Sequence, residues 1–134
     1  MQFKTMYNSP YVYKALCSIF IVNLFLISNA VAEDQKEPTV PFVYSVGFSK
    51  FQQYCSACHG KWGDGTKQGP PLMHPFYVPS HHNDASFYRA ALHGVKAHHW
   101  QFGDMPKISG VTEKDMNSIV PYIRWLQHER GVIK

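Results

Sequence analysis

Apolar positions along the chain form one nearly continuous block and three periodic stripes. The block, Ala15 to Ser28, is about 14 residues long, short of the roughly 20 that a membrane-spanning helix needs. The first stripe starts near Ser45, a candidate N-cap, and runs through Cys55. Val46, Phe51 and Tyr54 share neighbouring parts of one helical face, and Gly47, Phe51 and Cys55 recur at four-residue steps. The second opens at Asn83 or Asp84, covers Ala85 to His93, and stops at Gly94, a natural helix-ending glycine. The third opens on the capping-box pattern Thr112-Glu-Lys-Asp115. It continues through Met116, Ile119, Ile123 and Leu126 to Gly131. Pro121 lies inside it and predicts a kink, at a cost of about 3 kcal/mol in an ordinary helix. No stretch alternates with the period of a strand, so the pattern predicts an all-α fold with three main helices. The expected core and pocket residues are Phe51, Leu72, Phe76, Phe87, Leu92, Phe102, Ile108, Ile119 and Ile123.

Between the first two stripes, residues 60–82 carry Pro70, Pro71, Pro75 and Pro79 and show no period. So long an irregular segment is out of place in a compact domain unless it wraps something large that is not protein.

The apolar block has an address-label form. Lys4 and Lys14 precede it, and Asn29-Ala-Val-Ala32 follows with the small-residue spacing of a cleavage site before Glu33. Residues 1–32 therefore read as a secretory signal peptide and 33–44 as an irregular lead-in. Residues 45–134 read as the working domain. The expected location is the periplasm, with no stable membrane span after cleavage; an uncleaved N-terminal anchor is the alternative. Cys17 lies inside this segment, with Leu16 before it and the apolar run after it, a poor lipidation site.

Composition changes the picture in two places. The 134 residues carry a net charge of +4, but cleavage would remove Lys4 and Lys14 and leave 11 basic against 9 acidic side chains. The basic residues form no run, which speaks against a nucleic-acid partner. Eight histidines in so short a chain are unusual.

Cys55-Ser-Ala-Cys58-His59 carries the chemistry. It is the C-x-x-C-H pattern of covalent c-type haem attachment. Two thiols at this spacing can each add an S–H across one of the two vinyl groups of a porphyrin. The adjacent imidazole then lies under the iron as proximal ligand. A thioredoxin-type redox pair would need a βαβ context, which is missing. A zinc site would need a second ligand pair, for which His81-His82 or His98-His99 qualify. An inert disulfide would leave His59 unexplained.

With these residues the chain resembles the class I, mono-haem cytochromes c, from about Ser45 to the C-terminus. Gly47 and Phe51 precede Cys55 by eight and four residues, as in that family, and Tyr122 stands where its last helix presents an aromatic to the glycine. Gly69-Pro-Pro-Leu72 is similar to the family's Gly-Pro-x-Leu segment, which implies that the Pro70 carbonyl accepts a hydrogen bond from His59. Gly103-Asp-Met105-Pro106 is similar to the loop holding the distal ligand. The resemblance implies a small cytochrome c fold, with long Gly/Pro-rich loops wrapped around one covalently bound haem c per chain.

Met73, Met105 and Met116 are the methionines outside the leader. Met116 fits an apolar helix face, and Met73 lies too near the proximal side. Met105, 46 residues after His59 on a Gly/Pro loop, is the expected sixth ligand, with His98 or His99 as alternatives. His81, His82, His98 and His99 form a possible secondary copper or zinc site; bonding to haem propionates, with Trp100, is the competing role. With both axial positions filled, the expected function is one-electron transfer rather than bond-making catalysis, as a free carrier or a subunit of a redox complex. The alternatives are a peroxidase-like haem enzyme with a labile sixth ligand, or a haem protein with an added metal role. Lys61, Lys67, Lys96 and Lys107 fall in loops where they could steer an acidic redox partner, such as a reductase, dehydrogenase or terminal oxidase.

Overall fold

A computed structural model describes residues 37–134. The leader, Cys17 and the first part of the lead-in lie outside the described residues. Among the described residues there are four α-helices: α1 (Ser45–Tyr54), α2 (Ser56–His59), α3 (Asp84–His93) and α4 (Glu113–Glu129). Single 3-10 turns occupy Phe42–Tyr44 and Pro75–Tyr77. Among the described residues the only strand-like pairing is an isolated antiparallel bridge between Val95 and Met105. The three long helices match the three stripes, and the fold is all-α as expected. No helix among the described residues is long and apolar enough to cross a membrane.

The α1 start differs from the expected cap. Ser45 does not accept from the helix; its hydroxyl donates to the Phe42 carbonyl at 2.7 Å and closes the preceding 3-10 turn. That turn also gives the lead-in more order than its composition suggests. Val46, placed on the buried face by periodicity, is 59% exposed, and the buried residues of α1 are Gly47 and Phe51. The other two caps form as read. The Asn83 side chain accepts from Ser86 N at 3.2 Å. Thr112 and Asp115 exchange the reciprocal bonds of a capping box.

α1 and α4 cross at the molecule's centre. A methyl group on Gly47 would lie 2.2 Å from the Ser118 carbonyl oxygen and 2.7 Å from Tyr122 Cβ, so only glycine permits this approach. Tyr122, fully buried, packs its ring 5.4 Å from Phe51 and 5.6 Å from Phe48. Lys50 reaches across to Asp115 at 2.9 Å. α4 continues through Pro121 without a break. Pro121 and Asn117, whose carbonyl loses its intrahelical donor, are both exposed, so water can take that bond.

The core is broader on α4 than the stripe suggests: Val120, Tyr122 and Gln127 are buried beside Met116, Ile119, Ile123 and Leu126. Phe51, Leu72, Phe87, Ile119 and Ile123 are buried as expected. Phe102 is 43% exposed beside Trp100 and takes the pocket place rather than the core one, lining the same cavity as His59 and Met105. Phe76, Leu92 and Ile108 are half-buried. Phe76 packs against His74, His99 and Trp100 instead of the helices.

The long loop is fixed by α4 side chains. Gln127 Nε2 donates to the carbonyls of Leu72 at 3.1 Å and Tyr77 at 3.2 Å. Arg124 donates to the carbonyls of Tyr77 and His82, each at 2.6 Å, and to Asp84 Oδ1 at 2.8 Å. A partly buried guanidinium with four acceptors, the fourth being Gln127 Oε1 at 2.7 Å, binds the irregular segment to the helix where no backbone ladder is available.

Candidate haem site

Cys55 ends α1, and Cys58 and His59 lie on α2, the single turn that follows it. The turn closes locally: His59 N donates to Cys55 O at 3.0 Å and Gly60 N to Ser56 O at 2.8 Å. This places both thiols and the imidazole on the wall of a cavity of about 740 Å³. Its size suits a large organic ligand.

His59 is buried, and its Nδ1 lies 2.8 Å from the Pro70 carbonyl oxygen. A carbonyl only accepts, so Nδ1 carries the hydrogen and Nε2 keeps the lone pair for a ligand. Burial lowers the pKa of His59, and the Pro70 bond partly opposes this. Burial, the larger effect, favours the neutral imidazole, and the Pro70 carbonyl holds it in one tautomer. Leu72 N, just beyond Pro70, donates to Gly63 O at 2.7 Å, and Thr66 Oγ1 donates to Cys58 O at 2.6 Å. The Thr66 contact has no signal in the sequence, because it depends on how the following loop folds back.

Cys55 and Cys58 are not joined by a disulfide. Burial, with the neighbouring Cys58, pushes the Cys55 thiol up to about 12. A catalytic redox pair needs the opposite, a thiolate stabilised near neutral pH. The zinc alternative for this motif fails on placement: the three-residue histidine cluster that could hold an ion is formed by His81, His82 and His99, with neither cysteine in it.

Met105 is half-buried and lines the same cavity. Its backbone is held on both sides, with Val95 N donating to Met105 O and Met105 N to Val95 O, each at 2.9 Å. Gly94 makes this possible twice over. Its φ of +84° ends α3 in a conformation that other residues rarely adopt, and a Cβ there would meet Met105 O at 2.7 Å. Met116 is buried on α4, the packing place expected of it, and Met73 is half-buried with its Cε near Gly63. His81, His82, His98, His99 and Trp100 complete one side of the wall.

The residues present fit a covalently held haem: two unpaired thiols and an oriented imidazole face a large, mostly apolar cavity that also receives a thioether. No curated protein and no solved structure matches the chain. The cytochrome c family model matches residues 46–127, from the second residue of α1 almost to the end of α4. With both the crossed helices and the C-x-x-C-H turn inside that span, the chain belongs to the cytochrome c family, whose domain implies covalent haem and haem-based electron transfer.

Proposed function

We propose that the protein is a mono-haem electron carrier in which Cys55 and Cys58 hold the haem, and His59 and Met105 are the axial ligands. The observation that carries this reading is His59 Nδ1 bonded to Pro70 O at 2.8 Å beside two unpaired thiols. Haem bound there supplies one-electron exchange between Fe(II) and Fe(III). The chain's own residues hold and tune it. Pro70 fixes the ring and raises the basicity of the ligating nitrogen. The Val95–Met105 bridge sets the backbone from which the thioether projects. A thioether favours a higher reduction potential than a second imidazole would. Small changes in the iron's surroundings between oxidation states suit a carrier, and the fixed loops support that rigidity.

The reading extends to export of the mature chain and to a redox protein partner with an acidic face. Lys67, Lys96 and Lys107 are exposed, and Lys96 lies at the cavity wall. Mass spectrometry of the exported protein tests the first point, by a mature N-terminus at Glu33.

The ligand assignment is tested by the weak charge-transfer band that a Met–Fe(III) bond gives in the visible spectrum. The band is expected in the parent protein and lost in Met105→Ala. Its absence from the parent, or its survival in Met105→Ala, overturns the assignment. Ready binding of carbon monoxide by the reduced parent protein would favour a haem enzyme with a labile ligand instead.

A further inference from the structure

Four of the seven histidines not used by the haem reading, His81, His82, His98 and His99, converge on one place. His81 and His82 immediately precede the Asn83 cap of α3, with both backbone N–H groups donating to Val78 O, at 2.9 and 2.8 Å. His98 and His99 lie on the loop that leads to Met105, closed by Ala97 N donating to Asp104 Oδ1 at 2.9 Å. Ligand nitrogens of His81, His82 and His99 all lie within 4.8 Å of one another.

Tautomers decide what such a cluster can hold. His82 Nδ1 lies 2.5 Å from the Phe76 carbonyl oxygen, and His98 Nδ1 lies 2.8 Å from that of Lys96. Both Nδ1 atoms must donate, so in the neutral rings both Nε2 atoms carry lone pairs. These two Nε2 atoms are 3.4 Å apart. Two lone pairs at that distance repel unless a proton or a metal ion lies between them. His99 adds a buried Nε2 with no hydrogen-bond partner.

We propose that His81, His82, His98 and His99 form a second metal site, built for one zinc-type divalent ion in tetrahedral imidazole coordination. Tetrahedral zinc with Zn–N bonds of about 2.0–2.1 Å spaces its ligand nitrogens about 3.3–3.4 Å apart. The His82–His98 pair already has this spacing. The ligand nitrogens of His81, His82 and His99 lie within 4.8 Å of one another, and His98 joins them through His82, so closing all four onto one ion needs side-chain movement. Second contacts are in place too, since the Phe76 and Lys96 carbonyls orient two of the rings, as carbonyls commonly do for metal-bound histidine. An occupied site would join the loop before α3 to the loop that carries Met105.

The test is zinc titration of the purified, haem-loaded protein by calorimetry, with metal content measured after dialysis. One equivalent of zinc per chain is expected. His82→Gln and His99→Gln should each weaken binding by about 100-fold or more, while His128→Gln, exposed in the last turn of α4, should leave it unchanged. The haem absorption spectrum checks that each variant is folded. The double variant His81→Gln/His98→Gln alters only exposed side chains and provides the same test without touching the interior. Binding by that variant equal to the parent's overturns the site. So does a parent that takes up no zinc. If zinc is refused while the same variants shift the haem midpoint potential, the imidazoles serve the haem carboxylates and the metal site is excluded.

Discussion

The guanidinium of Arg124 donates to the backbone carbonyl of His82 at 2.6 Å, across 42 residues of sequence. The same group reaches Tyr77 O and Asp84, and its carbon lies 4.9 Å from the Phe87 ring centre. Removing it takes the Arg124 donor from the His82 carbonyl, leaves Tyr77 O only its Gln127 donor, and uncovers one ring face. Arg124→Ala should cost about 2–4 kcal/mol in urea unfolding of the haem-loaded protein. Arg124→Lys should recover little of this, because one ammonium cannot span the four acceptors that the guanidinium reaches.

The α1–α4 crossing predicts a steep penalty at one small residue. A methyl at Gly47 meets backbone, the Ser118 carbonyl, rather than a movable side-chain tip. Gly47→Ala should therefore destabilise by about 3 kcal/mol, read as a lower urea midpoint with an unchanged slope. Ser49→Ala, one turn face away and exposed, should be nearly silent.

The α4 cap titrates. The Thr112 hydroxyl, then Lys50, hold the Asp115 carboxyl down at about 2, against an ordinary 3.8. A depressed folded value means the stabilisation is complete above about pH 4 and is lost as pH falls from there towards 2. Asp115→Asn should flatten this part of the stability–pH curve. Thr112→Ala should cost about 1 kcal/mol at neutral pH.

Electron exchange with an acidic partner should slow as salt rises, because exposed charges steer encounter and are screened over about 10 Å at 0.1 M. Lys96→Glu should slow it further at low salt and converge with the parent at high salt. Stopped-flow rates that ignore ionic strength would remove the steering role.

Much of this was legible because its signals are local. Thr112 and Asp115, Asn83 and Ser86, and the cysteines with His59 lie within a few residues of each other, and spacing alone sets their geometry. Gly94 marked the end of α3 for the same reason. What escaped depends on contacts between distant segments. Gln127 looks like a surface residue by type and is fully buried, because two loop carbonyls need its amide. Val46 looks like core by type and is exposed, because no segment of the fold packs over it. Pro121 looks like a breaker, yet it stands on the solvent side, where a missing backbone bond costs least. The histidine pairs were visible as pairs, but only the folded loops bring His82 Nε2 and His98 Nε2 face to face.

The Gly47–Ser118 contact has a bearing on chain continuity. It clasps the beginning of the domain to its end, so the loops between need not be intact for the two ends to stay together. A single proteolytic cut in the exposed stretch 101–104 would divide the sequence between α3 and α4. Both pieces would remain in one particle, the first carrying the haem thiols and His59, the second carrying Met105 and the clasp's other half. The domain is in this sense already two interlocking fragments that happen to be translated as one.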